Sequence, residues 1–218
     1  MTQPPTHPFD QPVTLPDICL QRITRLLASG HRKILGIVAP PGAGKSTLAQ
    51  ALLDQYGGAV QVVPMDGFHL ANSELERLGS RSRKGAPDTF DAWGYLGLLR
   101  RIKDQAADEV VYAPDFRREM EEAIAGALPV LPDTPLIVTE GNYLLLGDSP
   151  WPQVRQALDE VWYLDVPEAL RHQRLLARHM HFGRSRQQAL DWMASTDTPN
   201  ALRIAQTRQH ADVCVPWV

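Results

Sequence analysis

One stretch constrains the fold more than any other: Lys33-Ile-Leu-Gly-Ile-Val-Ala39-Pro-Pro-Gly42-Ala43-Gly44-Lys45-Ser46-Thr47-Leu48. An apolar run enters a glycine-rich turn, and Gly-Lys-Ser-Thr then opens the helix-like Leu48-Ala-Gln-Ala-Leu-Leu53. Strand, loop and helix in this order form a phosphate cradle. Backbone N–H groups at a helix start supply donors and a favourable dipole, and glycine lets the backbone approach without a β-carbon. In this pattern Lys45 reaches the β- and γ-phosphates, and Ser46 offers a hydroxyl to Mg²⁺. The nucleotide-binding set is then Gly42, Ala43, Gly44, Lys45, Ser46 and Thr47. Ala39 stands where the strict pattern has its first glycine. The glycines that must approach phosphate lie after it, so triphosphate binding is still expected.

The remaining pattern fits one α/β domain. Apolar strands are expected at Val60–Met65, Leu136–Thr139, Glu160–Asp165 and Val213–Val215, with helical spacing from Asp17 and again from Pro167. Strands alternating with helices give a P-loop three-layer fold with a mostly parallel, doubly wound sheet. About 70 residues separate the first and second of these strands where a crossover unit needs about 30, so extra structure is expected there. The expected pieces are a short helix from Ser73 (a Ser-x-x-Glu capping box), a loop over 79–90 and a helix from Asp91 to about Ala107. A short strand near Val110–Tyr112 and a charged helix from Arg117 follow. Further on, Ser185 and Gln188 form a second capping box, and Thr198-Pro199 sets an N-cap before proline. Residues 1–16 hold five of the chain's 18 prolines and read as a flexible lead-in to a single domain over 17–218. Within it, 67–135 would be a substrate-binding insertion and 171–186 a lid.

A net charge of −3 gives no electrostatic reason to expect a nucleic-acid partner. No apolar run approaches the ~20 residues of a membrane helix, so no membrane partner is expected. Cys19 and Cys214 form no ligand cluster, which fits a reduced, cytoplasmic chain.

In such sheets ligands sit at the carboxyl ends of the strands. Asp66 and Glu140 fall at two such ends and should face the phosphate loop. Phosphoryl transfer needs a carboxylate to take the proton of the attacking hydroxyl and Mg²⁺ to neutralise charge. Asp66 is assigned the base and Glu140 the metal, partly through water; a turn or capping carboxylate is the competing reading of each. Arg171, Arg174 and Arg178 share one helix face ahead of a glycine-containing break. That suits a lid stabilising the transferring phosphoryl, with Arg174 and Arg178 nearest the break, and a solvated basic face competes with it. His172, His179 and His181 show no strong metal-ligand pattern. Loop 79–90 could bind an anionic or polyhydroxylated substrate or be merely solvated. Asp91-Ala-Trp-Gly94 matches Asp-x-x-Gly, but no guanine motif accompanies it, which disfavours a switch GTPase.

With these residues in hand, the chain resembles the phosphoribulokinase, uridine kinase and bacterial pantothenate kinase superfamily. Within it the chain looks like the bacterial group named fructose transport system kinases. The matching pieces run in order over nearly the whole chain. They are 39–47, Met-Asp-Gly-Phe-His-Leu (65–70), Arg-Lys-Gly-Ala-Pro-Asp-Thr-Phe-Asp (83–91) and Ala-Pro-Asp-Phe-Arg-Arg (113–118). Glu-Gly-Asn-Tyr-Leu-Leu (140–145), Leu-Asp-Val-Pro (164–167), Arg-His (178–179) and Asp-Thr-Pro-Asn (197–200) complete the set. The resemblance implies ATP and Mg²⁺ as cofactors, Asp66 as base, Glu140 at the metal and the Arg178 region as lid. It moves Lys84, Asp88 and Phe90 towards a substrate pocket, and Tyr112 and Arg118 towards the same pocket. His69, Arg83 and Tyr143 lie in the same matching pieces and join the substrate candidates. Phe116-Arg117-Arg118 departs from the group's Phe-Asp-Arg.

The expected activity is transfer of the γ-phosphoryl of ATP to a hydroxyl of a sugar, nucleoside or pantothenate-like alcohol, with a homodimer possible. The rivals are a regulatory or assembly P-loop ATPase with a protein partner, and a nucleotide-binding protein without catalysis.

Overall fold

The computed structural model describes residues 13–218. The lead-in over 1–12 lies outside the described residues, and Leu15, within the span expected to be flexible, is buried in the core. Helix α1 (Asp17–Leu27) leads to β1 (Lys33–Val38), and α2 (Lys45–Tyr56) follows the glycine-rich turn. Strands β1, β2 (Val60–Val62), β5 (Leu136–Gly141), β6 (Glu160–Asp165) and β7 (Val213–Pro216) form one parallel sheet in the order β2-β5-β1-β6-β7.

The alternation of side chains along β1 separates two cores. Ile34 and Val38 face one of them, with Tyr95, Leu96, Leu99 and Ile102 of α4 (Ala92–Lys103) and Trp151 and Val154 of α5 (Trp151–Ala157). Leu35 and Ile37 face the other, with Ile23 of α1 and Leu48 and Leu52 of α2. Gly36 lies on the α5 side, where a β-carbon would come within 2.8 Å of Leu158. The three-layer, doubly wound arrangement expected from the sequence is therefore the observed one.

The long crossover differs from expectation in three places. Helix α3 (Asn72–Arg77) starts one residue before Ser73, so Ser73 caps nothing. Its first N–H is taken instead by the Glu122 carboxylate at 3.0 Å. Residues expected as a charged helix form a hairpin of β3 (Val111–Arg117) and β4 (Glu122–Val130). Gly126 at φ 68° and Pro129 disfavour a helix there, and the charged 118–121 run is its turn. Helix α4 is capped by Asp91, whose carboxylate accepts from Gly94 N–H at 2.8 Å. The Asp-x-x-Gly match is thus a helix cap, and α4 stops at Lys103 rather than near Ala107.

In the last third, α6 (Glu168–His181) turns at Gly183 into α7 (Arg186–Trp192), which carries the expected Ser185–Gln188 capping box. Thr198 does not cap a new helix. One π-helical turn, Met193–Asp197, runs from α7 straight into α8 (Thr198–Ala205), and Asp197 itself is helical. Among the described residues no helix is long and apolar enough to cross a membrane, and both cysteines are free thiols.

Candidate active site

The turn between β1 and α2 is held open for a ligand by its glycines. Gly42 and Gly44 take φ of 80° and 86°, the left-handed region that only glycine enters at little cost. A β-carbon on Gly42 would meet the Arg171 carbonyl at 2.7 Å, and one on Gly44 the Trp217 indole nitrogen at 2.8 Å. Ala39 and Ala43 pack their methyl groups into the core, so Ala39 leaves the phosphate side of the loop clear. Arg171, first of the arginine triplet, is buried and donates to the Pro41 carbonyl at 3.0 Å. It braces the loop from behind and does not face a ligand cavity.

Lys45 donates to the Ala39 carbonyl at 3.0 Å and to Asn142 Oδ1 at 2.7 Å. Burial of the ammonium pulls its pKa down to about 8 against the opposing pull of Glu140 and Asp66. Ser46 donates to Glu140 Oε1 at 2.8 Å. Burial, and then the neighbouring Asp66 charge, raises the Glu140 pKa, while Lys45 and Ser46 oppose the rise. Asp66 sits in a 3₁₀ turn, Met65–Phe68, just past β2, and its carboxylate lies 3.5 Å from Arg118.

Two cavities open from this cluster. The larger, about 750 Å³, is lined by Gly42, Gly44, Thr47, Arg174 and Trp217. Arg174 Nη1 is buried there without a partner, an orphaned donor beside the phosphate loop. The smaller, about 360 Å³, holds Asp66, Glu140, His69, Lys84 and Phe90. Lys45, Ser46, Arg118 and Arg178 line both. Burial and the nearby Arg118 charge lower the Arg178 pKa.

One wall of the smaller cavity is built of packed rings. His69 lies between Phe90 and Phe116, with ring centroids 4.0 and 4.6 Å away, and its Nδ1–H donates to the Asp66 carbonyl at 2.7 Å. Burial lowers its pKa, which favours the neutral ring. Four expected substrate residues do not line either cavity. Arg83 and Asp88 are exposed and pair with each other on the outer side of their loop. Tyr112 is 57% exposed because Val111 and Ala113 take the inward positions of β3. Tyr143 is fully buried behind the wall and donates its hydroxyl to the Gly85 carbonyl.

The sequence reading missed a second polar group. His179 Nε2–H donates to Asp197 at 2.7 Å, and Arg184 donates to His179 Nδ1 at 2.6 Å. The Arg184 guanidinium stacks 4.2 Å from the Trp192 ring. All four residues line the smaller cavity. The only sequence signals were the Arg-His and Asp-Thr-Pro-Asn pieces, and their pairing needs the π-turn. His179→Ala should lower stability by about 1–3 kcal/mol, because it leaves the nearly buried Asp197 carboxylate unpaired; a denaturant melt checks this. Among the described residues no group of His, Cys, Asp and Glu is arranged to hold a metal on its own.

A glycine cradle, a lysine beneath it and a carboxylate across a shared cleft define a P-loop kinase. The chain belongs to the Phosphoribulokinase / Uridine kinase family, whose model matches residues 34–218. It is 34% identical over 190 residues to the uncharacterized protein YggC of Escherichia coli, spanning 85% of this chain and 78% of that one. It is also 34% identical over 176 residues to a proposed uridine kinase, C227.14, of Schizosaccharomyces pombe, spanning 77% and 74%. A crystal structure of a proposed fructose transport system kinase from Silicibacter sp. TM1040 superposes with a TM-score of 0.82 at 37% identity. That match covers 91% of this chain and 98% of the other.

Proposed function

We propose that this protein transfers the γ-phosphoryl of ATP to a hydroxyl of a sugar, nucleoside or pantothenate-like alcohol, with Mg²⁺. The observation that carries the reading is the pair of cavities joined at Lys45, Ser46, Arg118 and Arg178, with Asp66 on the smaller side. One side has the glycine cradle and the orphaned Arg174 donor that a triphosphate would fill. The other has a carboxylate within reach of an alcohol.

Asp66 accepts the proton of the attacking hydroxyl, and Arg118 fixes the carboxylate in place. Lys45 and Arg178 balance charge on the transferring group, and Arg174 holds the triphosphate. Ser46 and Glu140 would hold Mg²⁺, which when bound neutralises charge on the β- and γ-oxygens. His69, Phe90 and Phe116 keep water from the acceptor side. In this reading 67–135 supplies the acceptor wall, and the α6–α7 corner within 171–186 closes over it. Free thiols and dependence on ATP fit a cytoplasmic setting.

Assay of ADP release against sugars, nucleosides and pantothenate-like alcohols tests the reading. A phosphorylated acceptor is expected; release that no acceptor raises would instead favour an ATPase serving a protein partner.

A pH dependence follows from Lys45. Burial favours its neutral amine, so the ammonium is lost as pH rises through about 8. Since kcat/KM reports the free enzyme, kcat/KM for ATP should fall above that pH, and Lys45→Arg should move the fall upward. A profile flat across this range in the unmodified enzyme would contradict the assignment.

A further inference from the structure

Besides Lys45 and Arg178, which also line the larger cavity, the smaller cavity presents two cations that its own carboxylates do not pair with. Lys84 is 8% exposed and donates to Asn72 Oδ1 at 2.7 Å and to the Glu121 backbone carbonyl. Its ammonium lies 5.1 Å from the Phe116 ring centroid. Every one of these partners is uncharged, and the Glu121 and Glu122 carboxylates act on it only from farther away. Arg184 is likewise held by the neutral pair His179 and Trp192. The carboxylates lining the cavity are engaged elsewhere: Asp66 with Arg118, Glu140 with Ser46, and Asp197 with His179. Glu121 is exposed.

An ammonium held largely out of water with no counter-ion in contact bears an uncompensated desolvation cost. An anion entering the cavity would relieve it, at short charge-assisted distance and out of water. Neutral alcohols offer Lys84 nothing that Asn72 and the Glu121 carbonyl do not already supply.

We infer that the acceptor is an anionic alcohol, with its carboxylate or phosphate group bound by Lys84, Arg184 contributing to the same field, and its hydroxyl turned to Asp66. The inference rests on the kinase reading above and narrows its substrate class. It also gives loop 79–90 a division of labour: Lys84 turns inward, while Arg83 and Asp88 pair outside.

Matched acceptors test it. Glycerate against glycerol and pantothenate against panthenol probe a carboxylate; ribulose 5-phosphate against ribulose probes a phosphate. At least one anionic member is expected to exceed its neutral partner about tenfold or more in kcat/KM. Lys84→Met should raise KM for that acceptor by about the same factor, with KM for ATP unchanged, and Lys84→Arg should keep the preference. Neutral members used as well as anionic ones would overturn the inference and leave the kinase reading standing. Calorimetric titration of glycerate and inorganic phosphate into protein saturated with a non-hydrolysable ATP analogue reads the subsite without turnover. Binding lost in a folded Lys84→Met variant supports the inference. No binding to the unmodified protein overturns it. Anion binding without transfer to any acceptor counts against the kinase reading alone.

Discussion

Replacing Asp66 by asparagine is expected to lower kcat by about 10²–10⁴-fold, the range a positioned general base contributes, while ATP still binds. The separation follows from where the residue sits. Asp66 lines the smaller cavity, and the glycine cradle, Thr47 and Arg174 line the larger. Asparagine keeps the size of the side chain and can still face Arg118, but it cannot take the hydroxyl proton. The fold should tolerate the change, because the Asp66 side chain is 28% exposed and the turn is anchored by neighbours. Gly67 packs against the Pro114 carbonyl, and Gly141 packs against Met65. Titration of the variant with ATP beside a turnover assay checks both halves. Joint loss of binding and turnover would mean that Asp66 supports the nucleotide site instead.

Lys45→Met should lose turnover without losing stability. Removing a donor aimed at developing charge costs about 10²–10³-fold in kcat in comparable sites. Yet burial already pulls the Lys45 ammonium down to a pKa of about 8, so the ligand-free protein bears a cost for holding that charge. Methionine fills similar space without it. Thermal unfolding of the ligand-free variant should therefore occur at an unchanged or higher temperature, while added ATP should shift it less than in the parent. A large destabilisation would show that the bonds to Asn142 and Ala39 outweigh the burial penalty.

The central sheet was legible because its strands are short apolar runs whose identity depends only on local pattern. The phosphate loop was legible for the same reason, since glycine positions and the following helix are written consecutively. Asp66 and Glu140 followed from a rule about strand ends. What failed depended on partners distant in sequence. The β3–β4 hairpin was obscured by the charged run around Arg117, which has helical character until Gly126 and Pro129 are weighed. Tyr112 points outward because the phase of β3 is fixed by packing of Val111 and Ala113, which the identity of the tyrosine does not reveal. Tyr143, Arg83 and Asp88 belong to pieces that build the pocket, but they brace or flank it. The His179–Asp197–Arg184 group was invisible because a π-turn brings Asp197 to α6, and Thr198-Pro199 reads as a fresh helix start.

The most direct test of a phosphoryl-transfer site at Asp66 uses ATP labelled in its γ-phosphoryl group. The label is followed with neutral and anionic alcohols present, in the parent enzyme and in Asp66→Asn. Label is expected in an organic phosphate ester with the parent and almost none with the variant. Label recovered only as inorganic phosphate, at a rate indifferent to every alcohol and to the Asp66 substitution, would contradict such a site.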